Sequence, residues 1–272
     1  MILAGISLDR MDVIRLEKMQ NLVIQCEESI EGIFTAIYEA YEQKKKYEDV
    51  FLQMGAEGEF RLFTEYTVST PDSGKASKVI RTVLREFGEE VYTTFCQALA
   101  TPEPERGDAV YHAIVLGFTM KNKRSLMDNL ANSYVNKLFR MGRQANNEIL
   151  HMKGFLRFSE LESGLLFSEI GPKNNIITFL APHFADRLPG ENFIIYDSSR
   201  DIAVLHAAFR EWVIVSGEGI DLEEARRFSE QEMEYQAMFQ YFCQKIAIAD
   251  RVNKNLQRQM LPLRFREYMI EF

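Results

Sequence analysis

The chain has 272 residues, of which 46% are hydrophobic and 26% charged, and its formal net charge is −8. These values are typical of a soluble globular protein and exclude a disordered, collagenous or disulfide-scaffold chain. The three cysteines lie far apart and form no CxxC pair, so we expect a reducing, cytoplasmic setting. No apolar run approaches the roughly 18–20 residues of a membrane-spanning helix, and charges interrupt the opening twenty residues, which argues against a secretory leader.

The first elements predicted are a strand over 22–27 and a helix that begins after Ser29, a good N-cap residue. Alternating apolar residues over 59–68 predict another strand. Pro71 then suggests a helix start with proline at the first helical position. Helices are expected to dominate from there to about residue 150.

A long helix over 125–152 is the clearest element, because apolar residues recur every three or four positions throughout it. Its opposite face carries polar side chains at the same spacing, which places them along one edge of the helix. These are Arg140, Arg143, Gln144, Asn147 and His151.

The pattern then changes to short alternating runs. A turn at 162–164 predicts a hairpin, and a helix follows that Pro182 would kink or end near Ala181. Three further strands at short spacing predict an antiparallel meander. Because βαβ alternation is missing from this interpretation, we expect an α+β fold: a helix-rich N-terminal half, packed with a mostly antiparallel sheet, then a long helix and a basic tail.

No Gly/Ser linker separates these regions, so we predict one composite domain over 21–272 after an N-terminal extension over 1–20. Within it, 21–152 is helical, 153–218 sheet-rich and 219–272 helical. The last helix is predicted to be capped by Asp221, with an apolar stripe in helical register. The stripe contains Phe228, Tyr235, Phe239, Phe242, Ile246 and Ala249.

The basic residues concentrate in two windows of this acidic chain. Residues 137–160 hold five basic residues against two acidic ones, and residues 245–266 hold six against one. If the fold brings the windows together, they form a local positive field of the kind that binds polyanions. The alternative is that both are solvated faces paired with nearby carboxylates, which contribute little individually.

His151 and His183 are the candidate proton-transfer groups, because imidazole titrates near neutral pH and Asp186 lies close to the second in sequence. The competing interpretation is that each satisfies a helix end or a buried backbone group. His112 and His206 lie among apolar neighbours and are expected to be structural. Metal-ligand spacings, phosphate-binding glycine loops and nucleophile elbows are missing, so no metal or cofactor site is predicted.

The segments HMKGFLRFSEL, APHFADR, FIIYDSSR and AIADRVNKNLQRQMLPLRF occur in this order. With them the chain, from about Leu22 to Tyr268, resembles an uncharacterised bacterial family of probable DNA-metabolism proteins, a domain of unknown function. The resemblance implies a neighbouring gene for a radical S-adenosylmethionine (radical SAM) protein, and some relatives are joined to a uracil-DNA-glycosylase-like domain. It supplies no catalytic residues. The matching positions are His151, Lys153, Gly154, Phe155, Arg157, Phe158, Pro182, His183, Phe184, Arg187, Asp197, Arg200, Arg251, Asn253, Arg258, Gln259 and Pro262.

The leading hypothesis is a nucleic-acid-binding protein of DNA repair or modification that acts with a radical SAM protein, and it includes no membrane role. If about five basic residues neutralise phosphates, log affinity should fall against log salt with a slope of about −4 to −5. Two alternatives remain: an enzyme for base excision or strand cleavage that uses His183 or His151, and a scaffold that binds only the partner enzyme. The predicted phosphate ligands are Arg140, Arg143, Lys153, Arg157, Arg187, Arg251, Arg258 and Arg264.

Overall fold

The computed structural model describes residues 21–43, 45–55, 62–220, 223, 227–246, 248 and 253–271. These residues fall into two compact units, and the division lies between Gln144 and Ala145. The extension over 1–20 and the predicted cap Asp221 lie outside the described residues. The architecture is mixed α+β, as the sequence predicts, but it contains two sheets instead of the single sheet expected.

The first unit contains a three-stranded sheet built from β1 (Asn21–Cys26), β2 (Val50–Met54) and β3 (Thr64–Val68). The strand order is β2-β1-β3, and β1 pairs in parallel with both neighbours. Helix α1 (Ile30–Glu42) connects β1 to β2, and the Ser29 hydroxyl caps it by accepting from the Gly32 N–H at 3.0 Å. The predicted strand and cap are confirmed, but the expectation that βαβ alternation is missing was wrong.

Three more helices complete the first unit before the long one: α2 (Ser73–Phe87), α3 (Glu89–Leu99) and α4 (Arg106–Thr119). Asp72 is the N-cap of α2, so Pro71 precedes the cap instead of occupying the first helical position. A core cluster that includes Phe34, Phe87 and Phe95 joins these helices to the sheet.

The long helix α5 spans Ser133–Phe155, which is later than predicted at both ends. Residues Lys123–Asp128 form a 3₁₀ helix instead of its first turns. The Asn132 side chain accepts from the N–H groups of Tyr134 and Val135, so a local cap starts the helix here. Arg140 and Arg143 are exposed, as the helical spacing predicts.

The second unit is built on a five-stranded sheet of order β4-β5-β6-β7-β8. Its strands are β4 (Ser159–Glu160), β5 (Leu166–Ile170), β6 (Phe193–Asp197), β7 (Ile202–His206) and β8 (Val213–Ser216). The predicted hairpin and meander are antiparallel, but β5 pairs in parallel with β6. The prediction of a mostly antiparallel sheet is therefore only partly confirmed, because the chain's first sheet is parallel and the second is mixed.

Helix α6 (Ile177–Arg187) crosses between β5 and β6. Pro182 lies inside it with an exposed ring, and the helix continues to Arg187 instead of ending near Ala181. Proline removes one backbone donor, while Leu180 and Phe184 still bury the helix in the core of this unit.

Helices α7 (Glu230–Ile246), α8 (Lys254–Met260) and α9 (Leu263–Arg266) complete the described chain. Within the described ranges, no helix combines the length and hydropathy needed to cross a membrane.

Candidate nucleic-acid interface

The predicted phosphate ligands fall into two groups according to whether a carboxylate neutralises them. Two of them, Arg157 and Arg264, form ion pairs. Five others have no ion-pair partner among the described residues, and Arg251 lies outside those residues. The five are Arg140, Arg143, Lys153, Arg187 and Arg258.

Arg157 closes the end of the long helix. One of its Nη atoms lies 2.7 Å from Glu271 Oε1, and the other donates to the carbonyl oxygens of Gly154 and Leu156. These carbonyls lie at the C-terminal end of α5, where backbone acceptors lack helical partners. Arg157 therefore caps a helix and holds the C-terminal segment, and its charge is largely compensated.

Arg264 pairs with a buried carboxylate. Its Nη2 lies 3.1 Å from Glu148 Oε1, and the Glu148 side chain is 1% exposed. The same carboxylate accepts from the backbone N–H groups of Lys173 and Asn174 and from Asn174 Nδ2, at 2.7–3.0 Å. Glu148 thereby joins α5, α9 and the loop after β5 within the second unit.

The two basic windows therefore meet, but through neutralised contacts. Residues from one window, Arg157 and Glu148, bind Glu271 and Arg264 from the C-terminal segment. Sequence reasoning counted Glu148 only as one unit of charge. Its spacing from Ala145 and Met152 places it on the buried face of α5, and a carboxylate there requires a partner; that signal was available.

Two of the unpaired cations, Lys153 and Arg187, lie around His183. Met152 near the end of α5 and Phe184 near the end of α6 belong to one core cluster. His183 is half-buried, and Lys153 and Arg187 are close enough for their charges to act on it. Partial burial, together with those two positive charges, lowers the pKa of His183 below its ordinary value. We call Lys153, His183 and Arg187 the His183 cluster.

Asp186 does not orient His183 in this structure. The carboxylate is exposed and, within the described part of the chain, forms no hydrogen bond to the imidazole. Its negative charge raises the pKa of His183 but is the smallest of the influences on it. The net shift of the His183 pKa is downward, which favours the neutral imidazole.

His151 lies in an aromatic setting. Its ring stacks on Phe155 at 5.6 Å between centroids and meets Phe265 edge-on at 5.5 Å. The Arg264 guanidinium lies over the Phe265 ring at 4.7 Å. These ring contacts hold the imidazole in place, although they are neither the helix cap nor the backbone hydrogen bond that the sequence suggested.

Asp197 and Arg200, two of the positions that match the family segments, hold the loop after β5 in place. Asp197 is fully buried, and its Oδ2 accepts from Arg200 Nη1 at 3.1 Å. Arg200 also donates to the carbonyl oxygens of Pro172 and Lys173. Burial raises the pKa of Asp197, although the Arg200 charge opposes that shift. This pair stabilises the same loop that Glu148 binds.

The other two histidines, His206 and His112, make only structural contacts with described residues. His206 is buried, stacks on Phe193 at 4.6 Å and bonds through Nδ1 to the Glu191 carbonyl at 2.9 Å. His112 is buried and stacks on Tyr134 at 4.3 Å. Among the residues described, no group of three or more His, Cys, Asp or Glu is arranged to hold a metal ion.

Comparison with known proteins gives one family match. A family model described as a domain of unknown function, DUF4130, matches residues 104–271. No curated protein matches the chain.

Two solved structures show weak similarity. One, described as a member of the s1p family of ribosomal proteins, DHH domain, covers 71% of this chain and 74% of its own at 9% identity and a TM-score of 0.30. The other is an uncharacterized protein from Helicobacter pylori G27. It covers 80% of this chain and 98% of its own at 10% identity and a TM-score of 0.20. At these values neither likeness identifies a fold or a function.

Proposed function

This chain belongs to the family of the domain of unknown function DUF4130, and we propose that it binds nucleic acid in DNA repair or modification together with a radical SAM protein. The resemblance to probable DNA-metabolism proteins supports the biological setting. The His183 cluster supports the binding role, because its two cations have no carboxylate partner among the described residues.

The unpaired cations are the phosphate ligands in this proposal. A guanidinium or ammonium group already neutralised by a carboxylate gains little from a phosphate, whereas an unpaired one releases counterions when DNA binds. Lys153 and Arg187 therefore contact the phosphate backbone of the nucleic acid, and Arg258 on the exposed helix α8 adds a further phosphate contact. Arg157 and Arg264 act instead as internal supports of the second unit.

Fluorescence anisotropy with labelled single- and double-stranded oligonucleotides over a range of salt concentrations tests this assignment. Each lost phosphate contact should make the salt slope shallower by about 0.9 for duplex and about 0.7 for single-stranded DNA, or about eightfold in duplex affinity at 0.1 M salt. Lys153→Gln with Arg187→Gln should double the change in slope and lower duplex affinity at 0.1 M salt about 60-fold. Absent or salt-insensitive binding by the wild type would overturn the proposal.

A matched control is available on α2 of the first unit. Lys78 and Arg81 are exposed and form no ion pair with any described residue. Lys78→Gln with Arg81→Gln removes the same two charges as the cluster variant. Equal loss of affinity in both double variants would show that net charge alone, and not the His183 cluster, determines binding.

A second candidate function is base excision or strand cleavage with His183 as the general base. The favouring feature is an imidazole whose pKa is lowered in the presence of two cations. Such an imidazole can accept a proton from an attacking water while Lys153 and Arg187 hold the substrate phosphate. Damaged and undamaged oligonucleotides incubated with wild type, His183→Ala and His151→Ala test this. Turnover that survives both substitutions would discard the histidine assignments.

The radical SAM partner has its own test. Co-expression of the chain with the radical SAM protein that the family resemblance implies, followed by affinity purification, should recover both proteins. Recovery of this chain alone would remove the partner from the proposal, without affecting the DNA-binding result.

A further inference from the structure

Helix α7 lies with its polar residues toward the rest of its unit. Gln236 Nε2 donates to Ser159 Oγ at 3.1 Å, and Gln240 Nε2 donates to the Ile270 carbonyl at 2.7 Å. None of its 17 residues is buried by the described part of the chain. This orientation is the reverse of an amphipathic surface helix, whose apolar stripe normally faces the core.

The outward side of α7 carries an apolar stripe in helical register. Its five members keep exposed fractions between 38% and 58%. They are Tyr235, Met238, Phe239, Phe242 and Ile246. Singly scattered apolar residues are normal on a protein surface, whereas a contiguous exposed apolar patch is often functional.

The stripe offers enough area for an interface between two copies. An aromatic side chain presents about 150–250 Å², so half-exposed members leave about 100 Å² each and the stripe leaves about 500 Å². Two such stripes together provide about 1,000 Å², which is the lower bound for a specific interface. Most helical stability in proteins comes from packing of an apolar face, so the helix also gains stability from being covered.

The charges of α7 are arranged by sign along its axis. Its first five residues contain Glu230, Glu232 and Glu234, and its last turn contains Lys245. When two such helices lie antiparallel across a two-fold axis, the lysine of each approaches the glutamates of the other. A parallel arrangement would instead oppose like charges at both ends.

We propose that the apolar stripe of α7 is the interface of a homodimer, in which α7 of one copy packs antiparallel against α7 of a second copy about an axis near Phe239. The two-fold arrangement makes the same patch serve both partners. Phe242 and Met238 lie at the centre, and the acidic and basic ends meet at the rim. The dimer is independent of the nucleic-acid assignment, because the stripe contains none of the His183 cluster.

Sedimentation velocity of the full chain at increasing concentration tests the dimer. The wild type should shift toward a species of twice 31.6 kDa. Phe242→Glu should weaken dimerisation about 30-fold or more, since it places a charge at a central anchor position. Leu150→Glu is the matched control: Leu150 is 58% exposed, against 56% for Phe242, but lies on α5. A chain that is monomeric at every concentration, or a dimer insensitive to Phe242→Glu, overturns the proposal.

Charge reversal tests the antiparallel orientation. Glu234→Lys and Lys245→Glu should each weaken the dimer by placing like charges together, and the double variant should recover wild-type association. Both residues are exposed, so neither substitution should disturb folding, and circular dichroism of each variant checks this. If the single variants weaken the dimer and the double variant does not recover, the antiparallel arrangement is wrong.

Discussion

Replacing Glu148 with alanine tests whether this buried carboxylate, and not DNA, is the partner of Arg264. The carboxylate accepts three N–H hydrogen bonds from Lys173 and Asn174, and it forms an ion pair with the guanidinium. Alanine removes all four interactions and leaves the surrounding backbone in place. The second unit should therefore lose stability while its secondary structure remains.

The expected magnitude follows from burial. Asn174 is 1% exposed, so water cannot replace the Glu148 carboxylate as the acceptor for its backbone N–H and side-chain amide. Each buried donor left unsatisfied costs about 1–3 kcal/mol, and removing one partner of a buried ion pair costs about 3–5 kcal/mol. We expect Glu148→Ala to reduce the free energy of unfolding by about 3–5 kcal/mol. Arg264→Gln should cost less than this, because Glu148 keeps its three N–H hydrogen bonds and the Arg264 side chain is itself 38% exposed.

Urea denaturation followed by tryptophan fluorescence measures the effect. Trp212 is the single tryptophan of the chain and packs against the core of the second unit, so its emission reports on that unit. Glu162→Ala is the control, since Glu162 is exposed and should change stability by no more than about 0.5 kcal/mol. A loss below about 1 kcal/mol for Glu148→Ala would refute the reasoning from buried unsatisfied donors.

Three further outcomes are expected. In an NMR titration, Lys153→Gln should raise the pKa of His183, because it removes a positive charge, and Asp186→Asn should lower it further; opposite shifts would contradict the cluster. Burial raises the pKa of Cys26 to about 12, so its thiol should resist alkylation at pH 8 until urea unfolds the chain, and rapid modification would show that it is accessible. The N–H bond from Lys75 holds the pKa of Asp72 below 3.8; Asp72→Ala should therefore lower the melting temperature at pH 7, and this difference should disappear as pH falls through that lowered pKa.

The sequence predicted which residue types form the candidate site, but not which of them lie close together or are neutralised. The spacing of Arg140 and Arg143 correctly placed both on the exposed face of the long helix, because helical periodicity is a local property. The neutralisation of Arg157 could not be predicted, since its partner Glu271 is 114 positions away along the chain. The approach of Lys153 to His183 likewise depends on how two helices pack, which no local pattern specifies.

In helix α7, too, the local pattern could be predicted from sequence but the tertiary contacts could not. Its apolar stripe was evident from the spacing of Tyr235, Phe239 and Phe242, and the ordinary expectation for such a stripe is burial. The structure turns it outward, because Gln236 and Gln240 find hydrogen-bond partners on the body of the unit. Amphipathicity identifies an interacting face, but only tertiary contacts decide what the face meets.

The sequence by itself determined where most helices and strands lie, which residues cap α1 and which windows carry the basic residues. These are properties of neighbours in the chain, fixed by side-chain periodicity and by local hydrogen bonds. Only the tertiary structure decided that β1 pairs in parallel with β2 and β3, that Glu148 neutralises Arg264, and that Lys153 and Arg187 lie beside His183. Strand direction and charge compensation depend on contacts between distant segments, and alternation or charge counts along the chain do not encode them.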